Sequence, residues 1–219
     1  MAKLVIFGTG DIARLAHYYF TRDSEHEVVG FTVDRAYRTG DAFLGLPLVD
    51  FEAVAEMFSP PGHQLFVAVS YTGMNRVRAA KYYRAKELGY VLPSYVSSRC
   101  SLLTDHPIGD NCFILEDNTI QPFVQLGSNV TLWSGNHIGH DSVIEDHCFL
   151  ASHIVVSGHV RIGEYSFIGV NATLRNSISV APHSLVGAGA LIMKDTSERS
   201  VYVPARTEPH QKTSDQITL

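Results

Sequence analysis

The chain has 219 residues, of which 45% are hydrophobic and 18% charged, a composition that can bury a sizeable core and argues against disorder. Its formal net charge of -5, from 17 Lys+Arg against 22 Asp+Glu, argues against a nucleic-acid binder, which needs a basic stripe for phosphates. No apolar run approaches the roughly 18 residues of a membrane span, and Met1–Phe7 is too short and too weakly basic for a signal peptide, so no membrane partner is expected.

Residues 1–95 carry 10 basic and 10 acidic side chains and alternate strand and helix cues. Lys3–Gly8 (KLVIFG) is an apolar run closed by glycine and reads as a strand. Asp11–Thr21 then reads as a helix, Glu27–Asp34 as a second strand, Phe51–Phe58 as a helix and Gln64–Ser70 as a strand. Asn75–Leu88 reads as a helix with Arg76, Arg78, Lys81, Arg84 and Lys86 on its solvent side; Gly89 ends it and Tyr90–Leu92 opens a further strand. This alternation predicts a small parallel sheet with helices on both faces.

Phe7-Gly8-Thr9-Gly10-Asp11-Ile12-Ala13 is a G-x-G-x-x-A turn between strand and helix, with Asp34 24 residues after Gly10. That context suits a nucleotide phosphate at a helix N-terminus and an acid near the ribose, as in Rossmann-like domains. Gly8, Thr9, Gly10, Asp34 and Arg35 are therefore candidate substrate-binding residues. Asp11 puts negative charge where a pyrophosphate would lie, which opposes that use. The alternative is a Rossmann-like domain kept for packing.

Residues 96–200 follow a different rule, with 201–219 as a tail. Stepping by six from Ile108 to Ile192 meets fifteen aliphatic residues without exception, and Val96 and Leu102 extend the phase backwards. Chance gives such a run about once in 10⁹. A six-residue period is a short strand plus a turn; three make a triangular coil of 18 residues, stacked at about 4.8 Å. The fifth position of each unit is usually small or β-branched (Cys112, Val124, Val130, Ser142, Cys148, Ser166, Ala172, Ser184, Ala190), as a narrow interior requires. Cys112 and Cys148 would lie two coils apart, too far for a disulfide. With Cys100 they make an odd set of three, which fits a reducing compartment, so a cytoplasmic location is expected. Five of the 11 histidines (His137, His140, His147, His153, His159) crowd into residues 137–159.

On these hexads the chain resembles the bacterial sugar acyltransferases of the left-handed β-helix class. The likeness is to the two-domain branch that contains sialic acid O-acetyltransferases and N-acetyltransferases of nucleotide-linked 4-amino sugars. Val203-Pro204-Ala205-Arg206 is similar to that family's G-x-P-A-[KR] ending, without its glycine. Family members commonly carry glycine and then His or Phe where this chain has Asp11 and Ile12. The resemblance implies a left-handed coil, acetyl-CoA as co-substrate without a metal, and a homotrimer whose active sites lie between neighbouring prisms. Ile138-Gly139-His140-Asp141-Ser142-Val143 matches the family's I-x-H-[DE]-x-[IV], which makes His140 the expected general base and Asp141 its orienting acid. Gly158, one coil above, aligns with the family's oxyanion amide. In the third hexad position, His140, Gly158 and Asn176 form one column, and Ser152, Val170 and Ala188 another; in a trimer the pantetheine arm would lie between two such columns. A family contact to CoA from a second histidine aligns with Phe149 here. His137, His147, His153 and His159 read as turn or interface residues.

The expected function is acetyl transfer to the amino or hydroxyl group of a nucleotide-linked amino sugar. Alternatives are O-acetylation of a free sugar or sialic acid, and a non-catalytic trimeric binding protein. A zinc lyase like the γ-carbonic anhydrases, which share the prism, needs two histidines five apart, and this chain has none. A nicotinamide dehydrogenase would lack a substrate domain.

Overall fold

The computed structural model describes residues 2–217. Its first sheet is built from β1 (Ala2–Phe7), β2 (His26–Val33), β3 (Ala42–Phe43), β4 (Leu46–Asp50) and β5 (Gln64–Val67), in the order β3-β4-β2-β1-β5. β1 runs parallel to β2 and β5, and β2 to β4; the short β3–β4 pair is antiparallel. A central parallel strand must be apolar on both faces. Accordingly, Leu4 and Ile6 pack with Ala13, Ala16 and Phe20 of α1 (Asp11–Arg22). Val5 and Phe7 pack on the other side, against Val54 of α2 (Val54–Met57) and Tyr82 and Ala85 of α3 (Arg76–Glu87). Helices therefore cover both faces, as the alternation predicts.

Four details differ from the sequence reading. The hairpin of β3 and β4 is additional; Leu44 (φ 50°) and Gly45 (φ 79°) make its two-residue turn, with both residues in the left-handed region that such turns require. Phe51–Phe58 is a 3₁₀ turn followed by the single turn of α2 rather than one helix. Tyr90–Leu92 is not a strand: Val91 accepts one hydrogen bond from the Leu65 N–H (3.1 Å), while Tyr90 and Leu92 are buried. Arg78 is not on a solvent face at all; it is 2% exposed.

From Tyr95 the chain winds into seventeen two-residue strands on three parallel sheets of seven, six and four strands. Partners are one 18-residue coil apart, as in Phe113↔Thr131↔Phe149↔Phe167, except at the last strand, where Leu185 pairs with Val201, 16 residues on. From Phe113–Ile114 to Leu191–Ile192, every strand ends on the aliphatic residue of the hexad, and these side chains form one continuous core. The small fifth-position residues are buried beside them, and Cys112 and Cys148 are free thiols that burial pushes up to about 12. Such thiols are unreactive at neutral pH. Asn118 and Asn136, also at the fifth position, form an internal ladder: Asn136 N–H donates to the Asn118 Oδ1, and Ile154 N–H to the Asn136 Oδ1.

The fourth position of every hexad from Asn111 to Gly189 is left-handed, with φ between 53° and 77°. Asn, Asp, His and Gly tolerate that region better than other residues. This accounts for three of the five crowded histidines, His147, His153 and His159, and His183 further on occupies the same position.

The seven-stranded face meets the α/β region. Tyr71 packs on Phe149 and Phe167 at 5.0 and 4.7 Å. Asp23 accepts hydrogen bonds from the Tyr95 hydroxyl (2.6 Å) and the Ser98 N–H (2.9 Å), which hold its carboxyl down at about 2. The Asn111 side chain pairs with both backbone groups of Val67, extending the edge of β5. Among the described residues no helix is long and apolar enough to cross a membrane.

Candidate active site

The site sits on the prism corner that follows the six-stranded sheet. There Ile138 turns inward, Gly139 lets the next coil approach, and Asp141 takes the left-handed turn (φ 58°), so that His140 projects outward with its side chain 51% exposed. The His140 backbone is held from both neighbouring coils. Its N–H donates to Gln121 Oε1 of the coil below (2.9 Å), and its carbonyl accepts the His159 N–H of the coil above (2.9 Å).

The imidazole Nδ1 is 2.8 Å from Asp141 Oδ2. A carboxylate only accepts, so this contact assigns the proton to Nδ1 and leaves the Nε2 lone pair free. Nε2 lies under Gly158, where an added Cβ would approach to 2.7 Å. The Gly158 N–H has no hydrogen-bond partner among the described residues. A ring-nitrogen lone pair thus lies against a glycine whose backbone donor is uncommitted, and acyl transfer needs both a base and an oxyanion donor.

His159 was read as a turn residue, and it is one, but the turn also carries it into the site. Its ring meets His140 edge-on at 5.0 Å, and its Nε2 is 3.9 Å from Asp141 Oδ2. Ligand atoms of His140, Asp141 and His159 lie within 4.8 Å of one another, all exposed. The left-handed preference of the fourth position, which places His159 one coil above Asp141, is the signal that could have found it.

Asn176 lies one coil above Gly158, whose carbonyl accepts the Ser177 N–H (3.0 Å). Val170 (42% exposed) and Ala188 occupy the corner after the seven-stranded sheet, with Ser152 below them. One chain therefore holds the two columns on different corners and does not bring them together.

The glycine turn lines a separate cavity of about 810 Å³ between the α/β region and the prism. Gly8 has φ 124°, and a Cβ there would meet the Ala68 carbonyl at 2.8 Å, so no other residue fits without strain. Gly10 precedes α1 in extended conformation with no side-chain cap, which leaves the first amides of the helix available to a ligand. Thr9 and Asp34 line the same cavity, and Asp34 is paired with Lys81 Nζ at 2.5 Å. Arg35 does not join them: its guanidinium turns to Asp50 (2.9 Å) on a shallow surface depression. Asp11 is 91% exposed and 3.5 Å from Arg14, so its charge is offset at the helix start. Asp11 and Ile12 also line the cavity, as do Tyr71, Thr72, Lys81 and the prism residue Trp133, which the sequence does not mark as site residues.

His147 belongs to a third corner and is 1% exposed. Its Nδ1 accepts from Asn129 Nδ2 (2.9 Å) and its Nε2 meets the Tyr83 hydroxyl (2.8 Å); burial pushes its pKa down to about 4. It is a neutral structural histidine, as expected for an interface residue.

Residues 159–194 match the family described as hexapeptide repeat of succinyl-transferase. Over 95 residues the chain is 36% identical to an acyl-[acyl-carrier-protein]–UDP-N-acetylglucosamine O-acyltransferase of Stutzerimonas stutzeri (strain A1501), covering 40% of this chain and 37% of that protein. A protein of the same name from Burkholderia thailandensis is 30% identical over 110 residues, 47% of this chain and 42% of that one. The chain thus spans about two fifths of the length of the curated relatives it matches. Among solved structures, the acetyltransferase domain of PglB from Neisseria gonorrhoeae FA1090 superposes with a TM-score of 0.78 at 26% identity, over 92% of this chain and 96% of that one. PerB from Caulobacter crescentus, in complex with CoA and GDP-perosamine, shares the fold at a TM-score of 0.79 and 22% identity, over 95% and 98% of the two chains. The chain thus carries hexapeptide repeats that the family model matches over residues 159–194, and it shares with these acetyltransferase structures a repeat-built β-helix that follows an α/β region at the N-terminus.

Proposed function

We propose that the chain transfers an acetyl group from acetyl-CoA to the amino, or hydroxyl, group of a nucleotide-activated sugar, with His140 as general base. The observation that carries this reading is the Nδ1–Asp141 contact of 2.8 Å, which frees Nε2 beneath Gly158. Nε2 takes the acceptor proton as its nitrogen or oxygen attacks the thioester carbonyl carbon. Asp141 stabilises the imidazolium, and the Gly158 N–H donates to the developing oxyanion. The C–S bond then breaks, and the imidazolium returns its proton to the departing thiolate. A positioned base of this kind contributes ~10²–10⁴-fold.

Acetyl-CoA as donor is supported by the likeness to an acetyltransferase domain at 26% identity, and by a fold shared with a chain in complex with acetyl coenzyme A. In this reading the Asn176 column of one protomer and the Val170 and Ala188 column of the next flank the pantetheine arm in a homotrimer. Residues 96–200 form the acyltransferase domain. Residues 1–95 form a Rossmann-like domain whose Gly8, Thr9, Gly10 and Asp34 hold the nucleotide phosphates and ribose, with Lys81 as an added cation. Arg35, committed to Asp50, takes no part.

The test is CoA thiol release from acetyl-CoA across UDP-, GDP- and dTDP-linked 4-amino sugars, with the free sugars alongside. Release with one nucleotide-linked sugar supports the full reading. Release with a free sugar alone keeps the acyltransferase and removes the nucleotide site. Silence across both sets overturns it.

A further inference from the structure

Among the left-handed turn residues of the prism, two carry large aromatic side chains, Phe123 (φ 67°) and Tyr165 (φ 59°). Bulky residues are outliers in that region, so each needs a compensating contact. Tyr165 has two: its ring stacks on His183 at 4.9 Å and meets the tilted ring of His147 at 4.8 Å. Phe123 has no aromatic partner among the described residues and is 61% exposed.

Its position is the second observation. Phe123 is one 18-residue coil below Asp141, at the same place on the same corner. Gln121, two residues before it, holds the His140 N–H (2.9 Å), and the carbonyl of Pro122 accepts the Asp141 N–H (3.3 Å). The Phe123 backbone is therefore one inter-strand spacing, about 4.8 Å along the prism, below that of Asp141. The other side of His140 is taken by Gly158 and Asn176, the donor side in the proposed reaction. In the proposed reaction the acceptor then comes from the opposite side of His140, over the coil that carries Phe123.

We infer that Phe123 is a specificity-determining residue for the acceptor, its ring face serving as the platform on which the C–H face of the acceptor pyranose rests beside His140. The face of an aromatic ring is electron-rich and apolar, and it favours the polarised C–H bonds of a sugar ring over its hydroxyl-bearing edge. The nucleobase is the other flat ligand surface, but its place in the proposed reaction is the Gly8 cavity, whose lining includes neither His140 nor Phe123. This inference rests on the acyltransferase reading.

The test is the Phe123→Asn variant, because asparagine suits the left-handed turn and removes the ring. With the nucleotide sugar that supports CoA release, the acceptor KM rises ~10-fold, the acetyl-CoA KM stays within about twofold, and Phe123→Tyr restores the acceptor KM. The thermal midpoint of Phe123→Asn equals or exceeds that of the wild type, since turn strain is relieved. An unchanged acceptor KM in an active enzyme overturns the inference alone. A lowered midpoint or a change of oligomeric state in light scattering also overturns it, by making Phe123 a structural or subunit contact. A wild-type chain silent with every acceptor overturns the acyltransferase reading and this inference with it.

Discussion

The imidazole of His140 lies against the α-carbon of Gly158, one coil above it, so closely that a methyl group there would come to 2.7 Å from Nε2. Gly158 has no left-handed requirement of its own, and the neighbour it would strike is the end of a side chain, which can swing aside. Gly158→Ala therefore folds normally and displaces the His140 ring from its bond to Asp141. The expected result is a fall in kcat of ~10-fold or more with circular dichroism and thermal midpoint unchanged, since small misplacements of a reacting group are costly. Wild-type turnover in this variant would remove Gly158 from the site.

His147 predicts an acid limb of stability. Folding buries it as the neutral form and lowers its pKa from 6.5 to about 4, so the unfolded chain binds a proton that the folded chain refuses. Its contribution is complete above about pH 6.5 and is lost as pH falls toward 4. The loss is on the order of 3 kcal/mol over that window. Urea titrations at pH 7.5 and 4.5 measure it. His147→Asn, which keeps a turn-compatible residue, shows a smaller drop between the two pH values than the wild type does.

Arg78 joins the two halves of the molecule. Its Nη2 donates to the carbonyls of Asn129 (3.2 Å), His147 (3.0 Å) and Cys148 (3.2 Å), and its Nη1 to Asn75 Oδ1 (3.1 Å). Burial lowers its pKa to about 10, so it remains charged at neutral pH. A lysine cannot reproduce a planar fork of donors. Arg78→Lys is expected to cost about 1–3 kcal/mol in urea unfolding, because buried carbonyls lose their donor. A loss below a few tenths of a kcal/mol would contradict that role.

The prism was legible because its physics is local. Each six-residue unit must turn one aliphatic residue inward, so a strict period of six survives in the sequence whatever lies outside. The His140–Asp141 pair came from the resemblance of its hexad to the family's I-x-H-[DE]-x-[IV], and the register then stacked Gly158 and Asn176 above it. What escaped depended on partners distant in the chain. Arg78 looked solvent-facing by helical spacing, yet its partners are prism carbonyls 51, 69 and 70 residues away. Lys81 was drawn to Asp34, 47 residues back. Arg35 turned to Asp50 on a strand that a two-residue Leu44-Gly45 turn concealed, because that turn lacks the usual Asn-Gly signature. His159 was visible as a turn residue; its approach to Asp141 needed the coil spacing as well.

The most direct measurement is steady-state CoA release from acetyl-CoA, wild type beside His140→Ala, with the acceptor that the panel selects. The account predicts a drop in kcat of ~10² or more in the variant, with its circular dichroism and oligomeric state unchanged. A His140→Ala enzyme that keeps most of the wild-type rate would contradict it.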